Sequence, residues 1–280
     1  MKPEVVPAIL VKTRDDLIRR IAQVRGLVRE IQIDVMDGKF VPNTTVGIDD
    51  LKALPEAHYE FHWMVREPER WIAQVPGPHM HLVHIETVES FEAVERAVKE
   101  SGGKLGIAIN PETSLELALR LVPKAERVLI MTVHPGFSGQ SYIKDMCGKI
   151  KQLRKLYPKL DIEVDGGINN ETAAHAYSCG ANILAAASAI FAAEDTKKAI
   201  AGLIKSAKSA NTKSKTTKQK TTKPASSDTS AKQKTSGASA KHGTSGVRGL
   251  GGGAGGVVGG ASGAGGARRR NASSAGDMHD

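Results

Sequence analysis

The sequence predicts an α/β fold, a (β/α)8 TIM barrel followed by a disordered C-terminal tail. Three observations carry that reading. Across residues 1–207, short β-rich apolar runs alternate with stretches of helical period, the pattern of a parallel sheet wrapped by helices. Eight such pairs can be counted along the chain. After Ala207 the composition changes abruptly.

The strands are expected at Val5–Leu10, Glu30–Met36, Tyr59–Met64, His81–Glu86, Lys104–Asn110, Val128–Val133, Asp161–Asp165 and Asn182–Ala186. Helix starts are marked by polar residues able to accept from exposed backbone N–H groups. Thr13 precedes Asp15 and Asp16, Thr113 opens SLELALRLV, and Asn170 precedes Glu171. Eight units in about two hundred residues sit at the small end of the barrel range. An open doubly wound sheet is the alternative architecture.

The chain has 280 residues and a net charge of +9, which at first suggests a nucleic-acid or membrane partner. Its distribution removes that suggestion for the barrel. From Lys208 to Asp280 there are nine Lys, four Arg and three Asp, a net of +10, which leaves residues 1–207 with −1. The tail is rich in Lys, Thr, Ser and Ala, then in Gly from Gly246 to Gly266, and ends near Arg268–Arg270 without one aromatic residue. Such a segment buries too little apolar surface to offset an ordering entropy of roughly 1–2 kcal/mol per residue, so disorder is expected. A solubilising role is the plain reading, and weak, salt-sensitive polyanion binding is the sharper one. No stretch reaches the ~18 apolar residues of a membrane helix, so neither a signal peptide nor a span is expected. The two cysteines, Cys147 and Cys179, read as isolated thiols that make neither a disulfide framework nor a zinc site. A cytoplasmic location follows as the expectation.

Side chains alternate across a strand. In REIQIDVMDG, Ile31, Ile33 and Val35 suit the layer between strands and helices, so Gln32, Asp34 and Met36 project into the barrel. Asp34 then sits toward the C-terminal end of strand two, the end where barrel enzymes keep their chemistry. The same parity groups His62 with Met64, pairs His84 with Glu86, and makes Asp165 the last inward group of strand seven. Singly, an Asp at a strand end more often caps a turn, and a lone His is more often a hydrogen-bonded core residue. Convergence of four strands on one rim favours a functional reading. Glycine-rich turns add to it. HPGFSGQS after strand six, Asp165-Gly166-Gly167 after strand seven and the small residues Ala185–Ser188 after strand eight can present backbone N–H groups to an anion.

The runs QIDVMDGKFVPN, HWMV, HIE, GIAINPET, LIMTVHPGFSGQSYI, EVDGGIN and ASAIF, in this order over residues 4–193, resemble the ribulose-phosphate 3-epimerases. The resemblance implies a metal-dependent isomerase of the pentose phosphate pathway in which two Asp residues exchange the C3 proton of a phosphorylated ketose from opposite faces. By position, Asp34 and Asp165 match those two groups. Gln32, Asp34, His62 and Asp165 match the ligands of one divalent cation (Zn, Fe, Mn, Co or Mg). Met36, Met64 and Met131 match methionines lining the site. Ala8, His62, Gly136, Phe137, Ser138, Gly139, Gly166, Gly167, Ala187 and Ser188 match substrate- and phosphate-contacting positions. The family also implies a homo-oligomer.

The chemistry is coherent, because deprotonation beside a ketone gives an enediolate whose charge a cation can stabilise, and inversion needs one acid/base group per face. This chain departs from the family pattern in placing Gln32 where His is usual and Ala8 where Ser is usual. An amide oxygen is a harder and weaker donor than imidazole, which predicts looser metal binding or a shift from zinc or iron toward manganese or magnesium. His134, Ser138 and Ala187 also differ from the usual residues. Ribulose 5-phosphate is the expected substrate. A hexulose 6-phosphate 3-epimerase and a non-catalytic phosphosugar-binding barrel weakened at Gln32 are the alternatives. Related decarboxylases resemble a D-x-K-x-x-D pattern, and Met36 stands where their Lys would be.

Overall fold

The computed structural model describes residues 1–220, with side chains described as far as Ala210. Eight parallel strands close into a barrel in sequential order: β1 (Glu4–Ile9), β2 (Ile31–Met36), β3 (Tyr59–Met64), β4 (Met80–His84), β5 (Lys104–Ile109), β6 (Arg127–Met131), β7 (Asp161–Asp165) and β8 (Ile183–Ala186). Pairing of β1 with β8 completes the ring. The doubly wound alternative is thereby excluded, and each expected strand is found with ends shifted by a residue or two. Eight helices accompany the strands: α1 (Arg14–Val24), α2 (Pro68–Ile72), α3 (Phe91–Ser101), α4 (Leu115–Leu119), α5 (Cys147–Leu156), α6 (Asn170–Cys179), α7 (Ser188–Phe191) and α8 (Thr196–Lys220). Only a short 3-10 turn, Ile48–Leu51, stands between β2 and β3.

Local chemistry sets the helix starts. Thr13 caps α1 as expected, accepting from Asp16 N at 3.2 Å. Asn169, not Asn170, caps α6, because its carboxamide accepts from both Glu171 N and Thr172 N. Ser114 takes the N-cap position of α4. Thr113 instead gives its hydroxyl proton to Glu86. The compositional boundary after Ala207 falls inside α8, whose backbone runs on to Lys220. Ala, Lys and Gln in this stretch carry good helix propensity, so a helix started on the packed segment before it continues past the last core residue. Residues 221–280, and with them most of the segment expected to be disordered, lie outside the described residues. Among the described residues no helix is long and apolar enough to cross a membrane.

The alternation along β2 is realised. Ile31, Ile33 and Val35 join Phe61, Trp63, Ile107, Val128 and Val164 in the layer under the helices. Each such side chain contributes about 1.5–3 kcal/mol on burial. The barrel interior is mixed. Met80, Leu82, Ala108, Leu129, Met131 and Val133 form one apolar cluster. Gly106 leaves room for it, since a Cβ there would stand 2.4 Å from Leu82 Cδ2. Toward the N-terminal ends of the strands, buried Arg127 meets three carboxylates, Glu30 at 2.8 Å, Glu163 at 3.2 Å and Glu60.

One sequence expectation is overturned. Cys147 and Cys179 are joined in a disulfide, with Cα atoms 5.3 Å apart. Cys147 opens α5 and Cys179 closes α6. A separation of 32 residues says nothing of adjacency until two consecutive outer helices are packed side by side.

Candidate active site

β2, β3 and β7 deliver the central residues. Cross-strand register sets Asp34 beside His62 and Met36 beside Met64, and Met131 beside Asp165 on the far side of the rim. Gln32 lies beneath them, wholly buried, and its Nε2 donates to Asp34 Oδ1 and to Asp165 Oδ2, each at 2.7 Å. One amide thus ties together carboxylates from strands two and seven. His62 Nδ1 completes the cluster at 3.0 Å from Asp34 Oδ1 and 3.5 Å from Asp165 Oδ2.

A second row of groups fixes the His62 ring. His62 Nε2 is 2.9 Å from His84 Nε2, and His84 Nδ1 is 3.2 Å from Glu86 Oε2. Glu86 also accepts from Asn110 N at 2.8 Å and from Thr113 Oγ1. Burial favours a neutral His84, and the charge of His62 adds to this against the pull of Glu86, so its pKa falls to about 4. Burial would raise Glu86, but the hydrogen bonds from His84, Thr113 and Asn110 outweigh it and bring it to about 2. The proton assignment follows. His84 donates through Nδ1 to Glu86 and accepts at Nε2 from His62, which turns His62 Nδ1 toward the two aspartates. For His62 itself, burial opposes the charged form, but hydrogen bonds to Asp165 and Asp34 and their charges prevail, lifting its pKa to about 9. Asp34 is raised, first by burial and further by the charge of Asp165, against the hydrogen bond from His62.

The residues fit a divalent cation. Asp34, His62 and Asp165 each offer a ligand atom, and these atoms lie within 4.8 Å of one another. Gln32 turns Nε2 to both carboxylates and leaves Oε1 buried without a partner among the described residues, so its oxygen would face the cluster once the amide turned over. Two carboxylates, an imidazole and an amide oxygen make a hard to borderline donor set, suited to manganese, iron, magnesium or zinc.

Above this cluster opens a cavity of about 480 Å³. Its wall includes Asp34, His62, Asp165, Met36, Met64, Met131, Gly136, Phe137, Ser138, Gly139, Gly166, Gly167, Ala187 and Ser188, all singled out by the sequence. Two expected residues are not on the wall. Ala8 is buried in β1, and Gln32 forms part of the floor, shielded by the carboxylates it bonds. Gly166 has φ +114°, and a Cβ there would stand 2.4 Å from Val133. Gly167 has φ +66°, and its Cβ would press 2.9 Å from Tyr142 N. The turn after β7 is therefore closed to larger residues. Thr132 holds it by donating its hydroxyl to Asp165 O and Gly166 O. Across the mouth, Asn43 donates to Gly136 O at 2.8 Å and anchors the glycine-rich loop. Sequence reading left His84 and Glu86 without a role and did not single out Asn43, Tyr142 or Thr132. The alternation in HIE already placed His84 and Glu86 on one face, whereas the Asn43 and Thr132 contacts span segments that no local pattern relates.

A closed parallel barrel that gathers carboxylates and imidazoles at its C-terminal rim, beneath glycine-rich loops, defines a (β/α)8 barrel enzyme. The chain belongs to the ribulose-phosphate 3 epimerase family, whose profile matches residues 4–191. It is an isomerase, an epimerase acting on a phosphorylated carbohydrate. The ribulose-phosphate 3-epimerase of Eremothecium gossypii is 36% identical over 217 residues, covering 71% of this chain and 91% of that protein. That of Schizosaccharomyces pombe is 40% identical over 181 residues, covering 62% and 79%. Among solved structures, 3-keto-L-gulonate-6-phosphate decarboxylase from Vibrio cholerae superposes with a TM-score of 0.58 at 16% identity, over 75% of this chain and 99% of that one. At that identity the likeness speaks to the fold alone.

Proposed function

We propose that this protein interconverts ribulose 5-phosphate and xylulose 5-phosphate by moving the C3 proton between the substrate and two carboxylates, Asp34 and Asp165. The observation that carries the reading is the pair of 2.7 Å bonds from one buried amide to both aspartates, which fixes acid/base groups from strands two and seven on a single small volume. Relatives named ribulose-phosphate 3-epimerase support the choice of substrate.

One carboxylate takes the C3 proton from one face, and the other, protonated, returns a proton to the opposite face, so the configuration inverts. Gln32, Asp34, His62 and Asp165 would hold a divalent cation, which supplies electrostatic stabilisation of the enediolate. Met36, Met64 and Met131 give the sugar an apolar bed that keeps water from the reacting carbon. Backbone N–H groups of residues 136–139 and 166–167, with Ser188, would bind the phosphate. A cytoplasmic home is supported by the Oryza sativa relative named as a cytoplasmic isoform.

Solvent-deuterium incorporation at C3, followed by NMR with ribulose 5-phosphate and each divalent metal in turn, tests the proposal. Incorporation with at least one metal, at the rate of epimerisation or faster, is expected. No incorporation with any of them would transfer support to a barrel that binds phosphosugars without turning them over. Faster turnover of a hexulose 6-phosphate would reassign the substrate.

A further inference from the structure

The Cys147–Cys179 disulfide has unusual company. Cys179 is 4% exposed, whereas Cys147 is half-buried. His175, one turn earlier on α6, sets Nε2 3.9 Å from Cys179 Sγ. Its Nδ1 is 3.1 Å from the hydroxyl of Tyr142, and the two rings meet edge to face. Tyr142 lies on the wall of the active-site cavity with its backbone against Gly167. Ile143, the next residue, donates from its backbone to Thr132 O. Four residues further on comes Cys147 itself. The glycine-rich loop after β6 is therefore fastened to α6 at two neighbouring points, the Tyr142–His175 hydrogen bond and the disulfide.

A purely mechanical staple needs no proton donor. Within cells, most disulfides are transient, catalytic or redox-sensing rather than permanent. Exchange is fastest when the attacked sulfur is accessible and the departing sulfur is helped to leave. Cys147 is the less buried residue of the pair, and His175 stands beside Cys179.

We propose that Cys147–Cys179 is an exchange-active disulfide for a dithiol reductant, attacked at Cys147, with His175 donating a proton to the departing Cys179, and that opening it removes one of the two ties between the loop of residues 135–147 and α6. A thiolate of the reductant bonds to Cys147 Sγ. The Sγ–Sγ bond breaks, and its electron pair leaves on Cys179 Sγ, which takes the Nε2 proton of the His175 imidazolium, and the neutral imidazole left behind is reprotonated from solvent. The second thiol of the reductant then attacks its own sulfur in the mixed disulfide and expels Cys147 as thiolate. In total one protein disulfide becomes two thiols and the dithiol becomes a disulfide, its two hydrogens reaching the cysteines by way of His175 and solvent. This inference rests on the geometry at α5 and α6 and not on the choice of sugar.

The test uses the full chain, oxidised and then treated with dithiothreitol. Thiols are counted by alkylation and mass spectrometry, and amide hydrogen exchange is followed in peptides covering residues 135–147. Oxidised protein should show no free thiol and a cross-linked peptide pair containing Cys147 and Cys179, and reduction should yield two thiols. His175→Gln should slow reduction on the order of tenfold. Amides in 135–147 should exchange several-fold faster after reduction, and Cys147→Ser should match the reduced wild type with or without reductant. Wild-type protein compared with itself in the two redox states needs no variant to fold. Free thiols that resist oxidation, reduction of His175→Gln at the wild-type rate, or identical exchange in both redox states would each overturn the proposal.

Discussion

The barrel buries charge at both ends of its interior, and the two ends are built to opposite rules. At the N-terminal end, Arg127 is enclosed by Glu30, Glu60 and Glu163, a fixed cation meeting carboxylates that approach from three other strands or their ends. At the C-terminal end, Asp34 and Asp165 converge with no Lys or Arg among the described residues in their side-chain contacts, held by the Gln32 amide and the His62 ring. The lower cluster carries its own counter-charge. The upper one holds only a titratable imidazole, which leaves room for a counter-charge brought from outside, and it lines a cavity of about 480 Å³, against about 380 Å³ for the pocket beside Glu30 and Arg127. Unpartnered buried atoms occur at both ends, Gln32 Oε1 above and Glu60 Oε1, Arg127 Nε and Glu163 Oε1 below, so what separates the two ends is that the lower one holds a permanent cation.

That contrast predicts a double dissociation. Asp34→Asn or Asp165→Asn should lower epimerase turnover by about 10³-fold or more, the scale of a lost general acid or base, as measured by a coupled assay or by C3 exchange. Thermal unfolding of Asp34→Asn should occur at the wild-type temperature or above, because burial already disfavours that charge. A large fall in stability with turnover preserved would erase the distinction between the two ends. At the lower end, Arg127→Met leaves three carboxylates without a cation and should cost about 3–5 kcal/mol of stability. Turnover per folded molecule and metal affinity should stay near wild type, since Arg127 touches no residue of the upper cluster. Urea titration alongside the coupled assay separates these outcomes. If Arg127→Met is as stable as wild type but inactive, the lower cluster belongs to the site after all.

The difference between the ends also explains what the sequence could disclose. The strand-end motifs of the upper cluster are compact: IQIDVM supplies alternation, a carboxylate and its position at the rim in six residues, and EVDGG adds a carboxylate and a turn in five. Parity alone then aims Gln32, Asp34, His62 and Asp165 inward, where the structure has them. The lower cluster is assembled from four residues more than twenty positions apart in the chain, each of which looks locally like an ordinary surface charge beside a strand. Nothing short-range says that Arg127 is 2% exposed. The same limit hid the Cys147–Cys179 bond, the bond from Thr113 to Glu86 and the tie from Asn43 to Gly136, all of them contacts between segments brought together only by tertiary packing. Ala8, matched to a substrate-contacting position, stands beside Gln32 in the strand register and is buried beneath the cavity wall.

The smallest effect concerns the lower cluster alone. Burial pushes the Glu163 carboxyl up to about 8, with the charges of Glu30 and Asp165 adding to the shift and Arg127 opposing it. One guanidinium cannot neutralise three carboxylates in a dry interior, and Glu163 Oε1 has no partner to stabilise a charge. In the unfolded chain the same group ionises near its ordinary value of 4.5. A folded-state pKa above the unfolded one means that the proton on Glu163 contributes its full stability below about pH 4.5, and that this contribution declines until pH 8, where the folded protein also releases the proton. Glu163→Gln supplies a neutral side chain of the same shape with an oxygen still able to accept from Arg127, and it has no proton to lose. Relative to wild type, Glu163→Gln should therefore gain stability between pH 5 and pH 8, on the order of 1–2 kcal/mol because the titration is coupled to the neighbouring charges. Urea midpoints of both proteins at several pH values within this range give the comparison. Parallel curves would show that Glu163 is ionised throughout, and that the lower cluster tolerates a net negative charge as readily as the upper one does.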